Sequence, residues 1–425
     1  MSIIVIAVIV LIEFAAIGYA AKSGLRLETS RLVARSLLLI AVIVLVGFSA
    51  ASGRTLRYVG LMAALACLVV AGAVKVNRRI AHRKPQKAAK TVLSLVGTLV
   101  LYGVALLPVI LFPPYSLIPA SGPHNVARLT HVFVDDDRID FYDPDGGYRQ
   151  LPVEFWYPAE VQGTFPLVIF SHGALGIRNS NASLYNELAS HGYVVAAIDH
   201  TYQCLYTTDA SGRLVLLDRG YRRQVLTEDP RKDIVQSYHY YQSWMNVRMA
   251  DIGLVIDVMT AVAPGAPRDV VALVDKTSIG VMGHSLGGSA ALGVGRARAD
   301  VKAVIALESP FLDDIIAVVD NSFVYRAEPY PVPLLNIYSD SAWFILGDRA
   351  QYAANHALLT SANPDSHNLH IGGAGHFDLT DLALSSPILA RLLNGQRSAQ
   401  SAVDTLVYIN EVSLAFFDKY LKGRP

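Results

Sequence analysis

The sequence predicts an α/β protein in two parts: four transmembrane helices, then a mostly parallel sheet with helices on both faces. Three observations predict it. The first 112 residues hold four long apolar stretches, whereas the rest alternates strand-like with helix-like runs. The strand-like runs are continuous in Val and Ile, without polar alternation, as in strands buried on both faces of a parallel sheet. At 425 residues the chain also exceeds one compact core. Its 52% apolar content and mean hydropathy of +0.37 are higher than a soluble domain needs, which points to a bilayer. A net charge of +1 gives no electrostatic footprint for nucleic acid, so none is expected as a partner. Cys67 lies in an apolar run and Cys204 in a polar one, so neither a disulfide nor a metal-binding cysteine cluster is expected.

The apolar stretches are residues 2 to 21, 32 to 50, 56 to 74 and 91 to 112. Each approaches the ~20 residues a helix needs to cross ~30 Å of hydrocarbon. The first reads as a span and not as a cleaved signal, because Met1-Ser2-Ile3-Ile4 lacks a positive n-region and three further stretches follow. Glu13 within it reads as a carboxyl facing the bundle or an interface, since no partner is evident at intramembrane positions. Lys22, Arg26 and Arg31 follow the first stretch, and Lys75, Arg78, Arg79, Arg83, Lys84, Lys87 and Lys90 follow the third. Only Arg54 and Arg57 separate the second from the third. Positive loops stay cytoplasmic, so the first and third loops are expected inside and both termini outside. The expectation is a multi-pass protein of a bacterial cell membrane with its second part extracytoplasmic.

Pro113-Pro114 stops the last apolar helix and opens a linker over residues 113 to 123, at most ~40 Å long when extended. Residues 124 to 425 then form the expected second domain. Strands are expected at 151–157, 166–171, 193–199, 277–283, 301–308, 333–339 and 368–372, and helices at 183–191, 241–260 and 401–422. The polar, tyrosine-rich stretch from Thr201 to Tyr240 breaks this rhythm. It reads equally as a lid over a site or as a surface excursion.

Gly283-His284-Ser285-Leu286-Gly287-Gly288 follows the apolar run Ile279 to Met282 and precedes the helix-compatible Ser289 to Leu292. A G-x-S-x-G between strand and helix is a nucleophile elbow, where glycines let the two elements pass closely under an exposed serine. The expected fold is therefore the α/β-hydrolase fold and the expected nucleophile is Ser285. A serine hydroxyl needs a base. His376, in the glycine-rich loop after the last strand, is the candidate; His356, His367 and His370 lie in or beside regular elements and read as packing or polar residues. An oxyanion needs two N–H donors, expected from Leu286 and, in the loop Ser171 to Gly176, from Ala174. His172 there and His284 beside the serine read as structural. The acid should fall between Ser285 and His376 in sequence, and both Glu308 and Asp340 end strands in that window. Spacing does not choose between them.

Val168-Ile169-Phe170-Ser171-His172-Gly173, the block Leu188 to His200, and Gly283 to Gly288 occur in that order. The pattern resembles the platelet-activating-factor acetylhydrolases of the plasma/type II kind, over roughly Gly122 to Asp381. Dienelactone-hydrolase-like and polyester-hydrolase enzymes are the next nearest likeness. The resemblance implies a calcium-independent α/β-hydrolase that removes short or oxidised acyl chains from phospholipids, with Ser285 as nucleophile, His376 as base, and Ala174 and Leu286 as oxyanion donors. The family's acid stands in an Ile-Ala-Leu-Asp context, matched here by Ile305-Ala306-Leu307-Glu308, one methylene longer. That favours Glu308 over Asp340. The family's secreted members lack the apolar N-terminal region. The expected function is thus a membrane-anchored serine esterase cleaving acyl esters, lipid ones among them, with no cofactor and no metal. An acyltransferase using the same triad and a non-catalytic relative are the alternatives.

Overall fold

The computed structural model describes residues 11–15, 27–49, 56–80, 88–261, 266–360, 364–395 and 398–424. Two compact units divide the chain, Met1–Tyr115 with Ser385–Ile388, and Ser116–Leu384 with Leu389–Pro425.

In the first unit, helices α1 (Leu27–Ser49), α2 (Val59–Ile80) and α3 (Ala88–Leu111) pack around Leu38, Val42, Leu61, Leu65, Tyr102, Leu106 and Val109. Their outer faces are apolar too, with Leu37, Ile40, Val70, Val100 and Val104 exposed. Helices apolar on all sides are what a bilayer solvates. By length and composition two helices among the described residues can cross a membrane, Val59–Arg78 and Val92–Leu111, where the sequence suggests four spans. The first apolar stretch lies outside the described residues except for 11–15, and the second forms most of α1.

One sequence reading is corrected here. Glu13 does have partners: its carboxylate accepts from Arg35 Nε at 2.7 Å and lies 3.3 Å from Arg31 Nε. Arg31 is not a loop charge, because it sits inside α1, one turn before Arg35. Arg35 in turn donates to Thr98 of α3 at 3.2 Å. A carboxylate and guanidinium buried together offset much of each other's desolvation cost, and a hydropathy pattern does not reveal such pairing.

The second unit is built on an eight-stranded sheet: β1 (Val126–Ile139), β2 (Tyr148–Pro158), β3 (Phe165–Ser171), β4 (Val194–Ile198), β5 (Val274–His284), β6 (Val301–Leu307), β7 (Leu334–Ser339) and β8 (Ser366–Ile371). Its spatial order is β1-β2-β4-β3-β5-β6-β7-β8. β1 and β2 run antiparallel to their neighbours, and the strands from β4 to β8 are parallel. β1 is absent from the sequence reading. It is an edge strand with one side in water, and its charged stretch Asp135-Asp136-Asp137-Arg138 hides the period of two.

Side chains alternate across the sheet. Leu167, Ile169, Val281 and Val304 face a core closed by α6 (Ile234–Ala261) through Met245, Ile252, Val255, Ile256 and Met259. Val168, Phe170, Met282 and Ile305 face the opposite core, closed by α4 (Ala182–Ser190) and α8 (Ala402–Lys422). Burying one such residue, Phe417 of α8 for example, contributes roughly 1.5–3 kcal/mol. With both faces covered, the central strands carry few polar residues. That is why their sequence lacks alternation.

The stretch Thr201 to Tyr240 is not shapeless. It forms a small hairpin, Tyr206–Thr208 with Leu214–Leu216, then helix α5 (Arg219–Thr227) and the first turns of α6. Asp218 caps α5 by accepting from Tyr221 N at 2.7 Å.

Register places the site. Ser171 pairs with Gly283, His284 with Leu307, Leu307 with Ile337, and Ser339 with Ile371. The carboxyl ends of five parallel strands are therefore level, and the residues just beyond them meet along one edge, where ligands of open α/β sheets bind.

Candidate active site

Ser285 sits between β5 and helix α7 (Leu286–Ala297) with φ 54° and ψ −125°, a left-handed-side backbone that a side chain tolerates poorly. The strain is held by packing. Ser285 N donates to Leu307 O at 2.8 Å. A Cβ added at Gly283 would lie 2.4 Å from the Gly287 carbonyl carbon, and one at Gly287 would lie 2.0 Å from Ser171 O. Only glycine permits this approach of strand, helix and the β3 loop.

Glu308, the first residue past β6, is the other strained residue of the site, at φ 50°. Its carboxylate is buried, accepts from His376 Nδ1 at 2.8 Å and from Ser339 N at 2.7 Å. Burial by itself would raise the carboxyl pKa. The hydrogen bond and charge of His376, with the Ser339 bonds, outweigh that effect and hold it below the ordinary glutamate range. With Nδ1–H given to Glu308, His376 Nε2 is left as the basic nitrogen. His284 Nε2 donates to His376 O at 3.1 Å and the two rings lie 4.4 Å apart, which keeps the histidine loop beside the elbow. Ser341 Oγ accepts from His376 N at 3.0 Å.

The structure therefore brings Glu308, and not Asp340, to His376. Asp340 begins the single helical turn Asp340–Trp343, accepts from His370 Nε2 at 2.7 Å, and accepts from Gly373 N at 2.8 Å. It anchors the loop that carries His376 without touching the imidazole. His370 stacks on Trp343, and His367 bonds Tyr420 Oη at 3.1 Å, so neither competes as base.

Leu286 opens α7, so its N–H lies among the first amides of a helix, which lack intrahelical acceptors. Ala174 faces it from the loop after β3. Both line one cavity with Ser285, of about 170 Å³. Val225 of α5, Glu228 just after it, Tyr241 and Trp244 of α6, and Pro310 and Leu312 form most of the remaining wall. The Thr201 to Tyr240 stretch thus contributes Val225 and Glu228 to the cavity wall.

Behind the oxyanion loop lies a polar network that the sequence reading missed. Asp251 of α6 accepts from His200 Nδ1 at 2.8 Å, from Arg149 Nη2 at 2.6 Å and from Arg138 Nη2 at 2.7 Å. His200 Nε2 accepts from Ser171 Oγ at 2.8 Å. Ser171, His200 and Asp251 are all buried, and they tie the end of β3 to the end of β4 and to α6. Burial, then the charge of Arg248, holds His200 down to about 4, so it stays neutral. His172 donates from Nδ1 to Gly173 O at 2.7 Å and accepts from His200 N at 3.3 Å, the loop-bracing role expected of it. Charged residues on the buried face of a long helix, Arg248 and Asp251 three apart, are the sequence signal that could have revealed this network.

Three buried donors, His172, Asp199 and Cys204, lie within 4.8 Å of one another. They do not suit a metal. Asp199 is engaged by Arg178 and Thr207, both His172 nitrogens are engaged, and burial pushes the Cys204 thiol up, away from thiolate.

Residues 146–424 match the model of the family described as platelet-activating factor acetylhydrolase, isoform II. The chain belongs to that family. The dog platelet-activating factor acetylhydrolase (Canis lupus familiaris) is 24% identical over 301 residues, which are 65% of this chain and 61% of that protein. The chicken protein (Gallus gallus) is 24% identical over 60% of this chain and 62% of its own length. This acetylhydrolase-family chain thus spans about 61% of the length of the curated relatives it matches first. A cutinase of Thermobifida alba is 28% identical over 46% of this chain and 48% of its own. Among solved structures, a ferulic acid esterase from Streptomyces cinnamoneus superposes with a TM-score of 0.57 at 24% identity, covering 73% of this chain and 94% of that one. That likeness speaks for the α/β-hydrolase fold.

Proposed function

We propose that this chain is a membrane-anchored serine hydrolase of carboxylic esters, acting through Ser285, His376 and Glu308. The contact that carries the reading is His376 Nδ1 to Glu308 at 2.8 Å, beside a serine held in a strained elbow. Glu308 fixes the tautomer that leaves Nε2 basic; His376 takes the Ser285 proton as Oγ attacks the ester carbonyl. The N–H groups of Ala174 and Leu286 receive the oxyanion. Collapse expels the alcohol with the proton from His376, and water then hydrolyses the acyl-enzyme by the same steps. The acyl group lies against Val225, Tyr241, Trp244 and Leu312 in the cavity. Membership of the acetylhydrolase family supports short-chain acyl esters, phospholipids among them, as substrates.

The membrane part of the reading is residues 1–112 as four spans, 113–123 as linker and 124–425 as an extracytoplasmic catalytic domain in a bacterial membrane. The two long apolar helices and their apolar outer faces support it. A fluorophosphonate probe will label the wild-type chain and not Ser285→Ala; equal labelling of both rejects the nucleophile. A phosphatase reporter fused after Pro425 will be active, since that enzyme folds only outside the cytoplasm. Silence of that fusion with activity of a cytoplasmic reporter rejects the orientation.

A further inference from the structure

The oxyanion loop has a feature its sequence does not advertise. Three consecutive carbonyls, those of His172, Gly173 and Ala174, are taken up by two side chains, Arg248 and Tyr221. Arg248 of α6, wholly buried, donates from Nη1 to His172 O and from Nη2 to Gly173 O at 3.4 Å. Its Nη2 also donates to Tyr221 Oη at 3.3 Å, and that hydroxyl donates to Ala174 O at 3.1 Å. Nε completes the fork on Gln203 Oε1 at 2.9 Å. Gly173 O is further held by Gly176 N at 3.1 Å and by His172.

The consequence follows from peptide geometry. In a trans peptide the C=O of one residue and the N–H of the next point in opposite directions. Holding Gly173 O among Arg248, His172 Nδ1 and Gly176 N therefore turns Ala174 N–H the other way, and Ala174 lines the cavity with Ser285. A loop of this length could rotate its peptide planes, and then the donor would be lost while the fold remained.

We propose that Arg248 and Tyr221 are positioning residues that hold the oxyanion hole open, and that Tyr221 links it to the lid. Tyr221 belongs to α5, the helix whose Val225 lines the cavity. Tyr241 and Trp244, which line the same cavity, precede Arg248 by seven and four residues on one face of α6. Groups that touch the acyl chain and groups that orient Ala174 are thus carried by the same two helices. Arg is required over Lys because one planar fork serves four carbonyl or hydroxyl oxygens at once, which an ammonium on a flexible stem does not. The inference rests on the ester-hydrolase reading above.

The test uses the full chain in detergent, with active sites counted by fluorophosphonate titration, so that misfolded protein is not scored. For Tyr221→Phe and Arg248→Lys, kcat per titrated site on p-nitrophenyl acetate will fall about 10-fold and about 100-fold, since losing one oxyanion donor outright costs ~10²–10³. KM will stay within about twofold. The Ki of a trifluoromethyl ketone, whose adduct with Ser285 places an oxyanion in the hole, will rise in parallel with the loss of kcat. A residue that only stabilised the fold would lower the titrated fraction and leave both constants per site unchanged, and that result overturns the proposal. Where Arg248→Lys does not fold, Tyr221→Phe, which removes a single hydroxyl, carries the test alone. If the wild-type chain neither labels nor hydrolyses the ester, the parent reading fails; normal wild-type activity with unaltered variants sinks this inference only.

Discussion

Replacing Glu308 by Gln is the most informative single change, because the structure dictates which way the new amide must point. Ser339 N donates at 2.7 Å to one carboxylate oxygen and His376 Nδ1–H to the other at 2.8 Å. The backbone N–H of Ser339 can only donate, so the glutamine carbonyl must turn toward it. The NH₂ group then faces His376 and donates to Nδ1, which forces the ring proton onto Nε2. The imidazole is held in the tautomer that cannot accept a proton from Ser285. Loss of the orienting acid in such triads costs ~10⁴ in kcat, or about 5.5 kcal/mol of barrier, and the same is expected here with KM little changed. Glu308→Asp retracts the carboxylate by one methylene and should fall between, at about 10²-fold. Asp340→Asn, whose partners are His370 and Gly373, should stay within about 10-fold of wild type. Initial rates on p-nitrophenyl acetate, normalised to titrated sites, decide the matter. Near-normal Glu308→Gln beside a 10⁴-fold loss in Asp340→Asn would refute the assignment.

His200 has a folded-state pKa of about 4 against an ordinary value near 6.5. Below pH 6.5 the unfolded chain takes up a proton that the native state refuses, so this stability is complete above pH 6.5 and lost as pH falls toward 4. It amounts to about 3 kcal/mol. Thermal midpoints at pH 7.5, 5.5 and 4.5 should show that slope in the wild type and a shallower one in His200→Gln; parallel slopes would contradict it. Gly287→Ala puts a Cβ 2.0 Å from Ser171 O, backbone against backbone, and should cost at least about 3 kcal/mol or abolish folding. Gly253→Ala, where the nearest atom is the movable Arg298 Nη1 at 3.7 Å, should gain up to about 1 kcal/mol from helix propensity. Similar melting temperatures for the two would show the elbow to be looser than it looks.

The parts of this site legible in sequence are those that a local pattern encodes. The elbow needs glycines at fixed offsets, and the central strands need unbroken apolar runs, so Ser285 and β3 to β7 were readable to within a few residues. His376 was readable because glycines surround it. Glu308 needed the family likeness, since spacing leaves Asp340 equal; the register that levels Leu307 with Ile337 is what separates them. The unreadable parts depend on long-range pairing. Arg248 bonds to carbonyls 75 and 76 residues away, and Asp251 gathers Arg149 from 102 residues away. The ion pair of Glu13 with Arg35 is hidden for the same reason: each partner alone reads as an interruption of an apolar stretch.

The buried Ser171, His200 and Asp251 deserve comparison with Ser285, His376 and Glu308. Hydroxyl to imidazole is 2.8 Å and imidazole to carboxylate is 2.8 Å in the buried set. A template of residue types and distances would score it as a catalytic triad. Yet its serine lies on relaxed strand backbone, its histidine is too hard to protonate, and no substrate reaches it. The same combination of serine, histidine and carboxylate braces the fold in one place and, in the function proposed above, reacts in the other. What sets the second place apart is a kinked backbone that lifts the Ser285 hydroxyl out of the sheet and a cavity that opens beside it.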